Sequence, residues 1–288
     1  MEGKAVAHGA VTIVSAFATG YGAALGVDTW TKARVVLTEE PGVIEGKVLS
    51  DASEDDRLIR AVVKRVLAKF SLEGKFGAKV ETDSNIPIAK GLKSNSAASN
   101  AIALATLEAL DKHVDDLSAI NLGVDASLDA GVTVTGAFDD ACASYYGGAV
   151  LTSNYERKIL KKTDVRGDLV VLIHVPKEKS YTTAVNVEKL KPYENLLSLA
   201  FDRALRGDLW SPLILNGMIN SIAFGYNPKT AFHAIDLGAI AAGLTGKGPA
   251  LAAIVTPDKA DAVRSFLSQI EGGLIESKIN HERAHVID

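Results

Sequence analysis

The sequence predicts an α+β protein of two domains. Three observations lead there. The chain has 288 residues, long for one core and comfortable for two. In both halves, strand-like runs of Val, Ile, Thr and Ala are interspersed with runs whose apolar residues recur at helical spacing. Each half also carries a glycine-rich loop, at residues 86–98 and 243–250, where glycine permits tight turns or close backbone approach. We place the domain boundary between residues 155 and 156, giving domains 1–155 and 156–288.

Taken in order, residues 11–14 and 33–37 read as strands, with Gly20, Gly22 and Gly26 marking turns or close approach between them. Residues 42–50 read as a further strand. Residues 51–70 form an amphipathic helix, because Leu58, Ile59, Val62, Val63, Val66 and Leu67 share one face. A short strand over 77–82 leads into the first glycine-rich loop. An Ala/Leu-rich run of high helix propensity follows. Residues 114–130 read as a helix, 149–154 as a strand and 157–162 as a basic hinge. The second half opens with a strand at 169–175. Helices are expected over 193–206, 209–224 and 229–238, a strand over 251–255, a helix over 258–270 and a last strand over 274–287.

Hydrophobic residues make up 47% of the chain and charged residues 23%, with a formal net charge of −4. Nucleic-acid binders are usually basic, so that class is disfavoured. The single cysteine, Cys142, excludes an internal disulfide framework and fits a reducing compartment. The first residues lack the apolar core of a signal peptide, and no apolar run reaches the roughly 18–20 residues of a membrane span. A cytoplasmic protein without membrane contact is expected.

Several stretches carry candidate chemistry. In the first loop Pro87 ends strand pairing, Gly91 allows a tight turn, and Ser94, Asn95 and Ser96 are good helix N-caps. The stretch is either an ordinary capped core helix or a phosphate cradle, in which free N–H groups meet an anion beside Lys90 and Lys93. The second loop contains Gly246-Lys-Gly248 but lacks the spacing of a P-loop or of a dinucleotide fingerprint. His281-Glu-Arg-Ala-His285 matches a zinc-hydrolase motif by letter. Its flanks suit a strand, though, and no nearby third ligand follows, so that reading is set aside. Cys142 reads as a small buried hydrophobe. Asp139 and Asp140, after a Gly-rich uncharged approach, are either a loop end or a presented base or metal ligand.

Four motifs decide between these readings by their order: Gly-Lys-Ala-Val-Ala-His-Gly-Ala at 3–10, Ile-Pro-Ile-Ala-Lys-Gly-Leu-Lys-Ser-Asn-Ser-Ala-Ala at 86–98, Thr-Gly-Ala-Phe-Asp-Asp-Ala at 135–141 before Gly147-Gly148, and Leu-Thr-Gly-Lys-Gly-Pro-Ala at 244–250. Together they resemble the GHMP kinase superfamily over nearly the whole chain, and most of all its archaeal-type shikimate kinase branch. The resemblance implies a two-domain GHMP kinase fold, with an N-terminal domain like part of a ribosomal protein, a ferredoxin-like C-terminal domain and ATP between them.

Residue by residue, the resemblance implies that Pro87, Ile88, Ala89, Lys90, Gly91, Leu92, Lys93, Ser94, Asn95, Ser96 and Ala97 form the ATP phosphate loop. Lys93 and Asn95 depart from the family pattern. Gly246 and Gly248 would line the same site. Lys4 would polarise the substrate hydroxyl or neutralise the transferred phosphate, although the family's following Glu-His is replaced by Ala10-Val11. Either Asp139 or Asp140 would be the catalytic base. Ser96 and Asp129 are the candidate Mg²⁺ ligands. The implied reaction is transfer of phosphate from ATP, with Mg²⁺, to the 3-hydroxyl of shikimate, or in the alternative to another alcohol such as homoserine or mevalonate. Thr133, Thr135 and residues 181–183 are candidates for the polar substrate lining. The partner is the small substrate alone, and the protein is expected to be a monomer or homodimer.

Overall fold

A computed structural model describes residues 1–178 and 186–288. The long glycine-marked connection expected between the first two strands is mostly strand: small residues allow one long hairpin, β1 (Glu2–Val14) and β2 (Tyr21–Thr38), paired antiparallel along most of their length. Gly22 and Gly26 lie within β2. They serve close approach, since a Cβ at Gly22 would meet the Asp139 carboxylate and one at Gly26 the backbone of Gly147. β3 (Ile44–Val48), α1 (Arg57–Lys69) and β4 (Gly77–Ser84) follow. All six residues of the predicted apolar stripe on α1 are buried. α2 (Ser94–Ala109) is Ala-rich and buried on nearly every side, against β1, β2, α1 and α3 (Asp116–Asp129). α4 (Phe138–Tyr146) was not evident from the sequence.

β5 (Ala149–Ser153) pairs with β2, and β6 (Lys158–Thr163) pairs with β5. The expected boundary at 155/156 therefore falls inside a hairpin of the first sheet, and the expected basic hinge is its edge strand. Exposed Lys158, Leu160 and Lys162 alternate there with half-buried Ile159, Lys161 and Thr163, and three lysines in six residues suit an exposed edge.

The second unit runs through β7 (Val170–Val175), a 3-10 helix (Val187–Tyr193), α5 (Glu194–Leu205), α6 (Trp210–Phe224), α7 (Lys229–Asp236), β8 (Ala241–Leu244), β9 (Leu251–Val255), α8 (Pro257–Ser268) and β10 (Gly273–Lys278). Its four strands lie in the order β10-β7-β9-β8, all antiparallel. This is the ferredoxin-like 4-1-3-2 order. The expected last strand is split: after β10 the chain returns to the first sheet as β11 (His285–Val286), beside β1. Among the described residues the first sheet then has seven strands, with β11-β1-β2-β4-β3 as its main path. A shared apolar cluster joins the units: Val11, Ile13 and Leu25 of the hairpin pack with Ile173, Phe201, Leu213 and Ile254.

Candidate active site

α2 begins abruptly. Lys93, at its N-cap position, is left-handed (φ 65°) and supplies no side-chain cap. The first-turn N–H groups of a helix have no intrahelical acceptors, so without a capping side chain they remain available to an anion. The loop before the helix is held from the second unit. Thr245 Oγ1 donates to the Gly91 carbonyl (3.0 Å) and accepts from the Thr12 N–H (3.0 Å). The Gly246 N–H donates to Thr12 Oγ1 (2.9 Å), and the Ala250 N–H to the Lys90 carbonyl (3.1 Å). Gly91 is required here: φ is +85°, and a Cβ would lie 2.3 Å from the Thr245 carbonyl oxygen. Asn220 on α6 donates to the Gly246 carbonyl (2.9 Å), and Asn216 accepts from both Ser15 N–H and Ser15 Oγ. The two glycine-rich loops thus form one hydrogen-bonded body.

Beside it opens a cleft of about 590 Å³. Lys93, Ser94, Ser96, Asp140 and Lys247 line its polar end around the start of α2; Val48, Leu58, Ile59 and Ile102 line it as well, together with Thr82, Ser84 and the charged Glu54, Asp55 and Arg57. Two cations beside a helix N-terminus, in a cleft that also offers apolar side chains, suit a nucleotide whose phosphates meet the helix terminus.

The two carboxylates separate. Gly136 and Ala137, both left-handed, turn the chain into α4 and place Asp139 and Asp140 in its first turn, where negative charge is favoured. Asp140 faces the cleft and pairs with Lys93 at 3.0 Å. Asp139 faces inward against Gly22 and accepts from Asn154 Nδ2 (2.8 Å), while its own N–H donates to Asn154 Oδ1 (3.2 Å). Burial, reinforced by the neighbouring Asp140, pushes Asp139 up to about 7. Lys247 is 8% exposed, and its Nζ has no hydrogen-bond partner among the described residues. Burial, and next the Lys93 charge, lower it to about 7, with Asp140 acting the other way.

The cleft is lined by Ile88, Ala89, Gly91, Lys93, Ser94, Asn95 and Ser96 of the first loop, and by Gly246 and Gly248 of the second. Leu92 and Ala97 are instead buried in the shared apolar cluster, and Pro87 does not reach the cleft. Lys90 is corrected: its ammonium donates to the carbonyls of Pro176 (2.6 Å), Lys177 (2.8 Å) and Glu178, so it ties the loop to the end of β7. Lys4 is corrected as well. It pairs with Glu2 on the exposed start of β1, next to Arg34 in register. The adjacent Gly3 packs on Ala105 and Glu108 in the C-terminal part of α2, and neither Gly3 nor Lys4 is among the residues lining the cleft. Asp129 is the third correction. Its carboxylate is held by Arg65 from α1 (2.5 and 2.7 Å), away from the cleft lining. Thr133 lines the cleft and Thr135 does not, while residues 181–183 fall outside the described residues. His281 pairs with Asp164 (2.8 Å) and His285 lies on β11, so the two share no helix face. Cys142 is buried in α4. Sequence reasoning missed Lys247, Asn154 and the Thr12–Thr245 clasp. Lys247 was visible only as an interruption between two glycines.

Comparison with known proteins matches two family models to this chain: GHMP kinases N terminal domain over residues 57–148, and GHMP kinases C terminal over residues 233–272. A shikimate kinase of Methanothrix thermoacetophila is 40% identical over 289 positions, covering 99% of this chain and 96% of the relative. A shikimate kinase of Pyrococcus abyssi is 44% identical over 259 positions, covering 88% and 92%. The chain belongs to the GHMP kinases. The stretches of this GHMP kinase that match the models hold α2 with the loop before it, both carboxylates and the second glycine-rich loop. Its fold agrees with that of homoserine kinase from Cytophaga hutchinsonii (TM-score 0.78, 18% identity, 99% and 97% of the two chains). It agrees also with mevalonate kinase from Methanococcus jannaschii (TM-score 0.74, 17% identity, 97% and 98%). The predicted fold class and family resemblance are both borne out.

Proposed function

We propose that this chain is a shikimate kinase, transferring the γ-phosphoryl group of ATP to the 3-hydroxyl of shikimate to give shikimate 3-phosphate and ADP. The observation that carries the substrate is the 40% identity, along 99% of the chain, to a relative named shikimate kinase. The cleft supplies what phosphoryl transfer needs, which is positioning and charge neutralisation rather than covalent help. The first-turn N–H groups of α2 and the Lys93 ammonium receive the phosphates. Asp140 is the cleft-facing carboxylate and accepts the proton of the attacking hydroxyl. Asp139 stands behind it as a positioning residue, locked by Asn154.

The oxygens at the polar end suit Mg²⁺, which takes one or two protein oxygens together with phosphate oxygens and water. Ser94 and Ser96 are the cleft residues that would hold it, in place of Asp129. When bound it neutralises charge on the terminal phosphates. A small diffusible acceptor requires neither nucleic acid nor membrane. Among the described residues no helix is long and apolar enough to cross a membrane.

An acceptor panel tests this reading. With ATP and Mg²⁺, kcat/KM for shikimate should exceed that for homoserine and mevalonate by at least about a thousandfold, since a site built to hydrogen-bond its substrate strongly rejects an analogue that leaves those groups unpaired. Preference for either other alcohol overturns the assignment of substrate.

A further inference from the structure

Among the described residues, the other charged groups at the polar end of the cleft are partnered, Lys93 with Asp140, and nearby Lys90 is bound to backbone carbonyls. Lys247 is nine-tenths buried, lines the cleft, and leaves its Nζ without a hydrogen-bond partner among the described residues. Such a group costs stability unless something compensates it. Its place is fixed. Thr12 and Asn220 grip Gly246 on one side (2.9 Å each), and on the other the Gly248 N–H donates to the Thr245 carbonyl (2.9 Å). The loop is therefore held at both ends while its central cation stays uncompensated.

We propose that Lys247 is a phosphate-binding residue, whose ammonium contacts the terminal phosphates of ATP and stabilises the phosphoryl group in transit. This deepens the kinase reading and rests on it. The charged groups facing Lys247 are Lys93, from the loop before α2, and Asp140, from α4. Lys93 already shares its charge with Asp140, whereas Lys247 has no such partner among the described residues, so it adds the further cation that the charge of the nucleotide calls for. Its lowered proton affinity without ligand fits the same picture: an arriving phosphate restores the ammonium.

The test compares wild type with Lys247→Met and Lys247→Arg by calorimetric titration with MgATP and with AMP, by steady-state kinetics and by thermal melts. Loss of one charge-assisted contact should weaken MgATP binding about 10- to 100-fold. AMP binding should stay within about threefold, because that ligand lacks the phosphates involved. A buried ammonium disfavoured by its surroundings destabilises the charged form, so Lys247→Met should melt at the same or a higher temperature, with the larger gain below pH 7. The kcat of Lys247→Met should fall about 100-fold or more, and Lys247→Arg should recover part of it. Unchanged MgATP affinity, equal weakening of MgATP and AMP, or a lower melting temperature in Lys247→Met would each overturn the proposal. The binding arm does not depend on the acceptor. A wild type that binds MgATP but ignores shikimate therefore condemns the substrate assignment alone.

Discussion

At the residue scale, neighbouring aspartates have been given different work by the direction in which α4 presents them. Asp140 looks into the cleft, while Asp139 is enclosed by Gly22 and Asn154. The enclosure has a consequence for stability. In the unfolded chain an aspartate loses its proton near pH 4, whereas folded Asp139 holds it up to about 7. The folded state binds more protons across that window, so this group's contribution falls as pH rises from about 4 to 7 and stays low above it. Asp139→Asn keeps an oxygen to accept from Asn154 and carries no charge. Its melting temperature relative to wild type should be higher at pH 8 than at pH 4, and an equal difference at both would contradict the enclosed state. The pair itself was legible in the sequence, as adjacent carboxylates in an uncharged setting. Which one faces the substrate was not, because that depends on the left-handed turn through Gly136 and Ala137. Lys4 was misplaced because its motif match ignored register: a short stretch of β1 separates it from the residues that meet the second loop.

At the scale of elements, strongly patterned pieces were readable and neutral ones were not. The stripe of α1 is amphipathic and was found; α4 has nine residues, mostly buried, and gives no periodic signal. β6 was taken for a hinge because edge strands are kept polar. The join between the two loops was equally hidden, since it depends on hydroxyls more than 200 residues apart in sequence. Thr245 is the centre of that join. Thr245→Val preserves shape but removes an acceptor from the Thr12 N–H and a donor to the Gly91 carbonyl. Each buried group left unpaired costs about 1–3 kcal/mol. The variant should melt at a lower temperature and show a raised KM for ATP, with the KM for shikimate little changed. Wild-type values for the melting temperature and the ATP KM would show that the clasp does not hold the phosphate loop.

At the scale of the molecule, the cleft exists because two sheets share one apolar cluster while their polar loops meet above it. The order of four motifs along the chain was enough to imply that arrangement and the family. The substrate came from likeness to one branch, and residues 181–183, expected to contribute to its lining, fall outside the described part of the chain. The most direct test is ADP formation from MgATP with and without shikimate, in wild type and in Asp140→Asn. Turnover should depend on shikimate in the wild type, and kcat should fall by about 10²–10⁴ in Asp140→Asn, the usual worth of a positioned general base. A wild type that forms no shikimate-dependent ADP, or an Asp140→Asn variant with full activity, would contradict the proposed function.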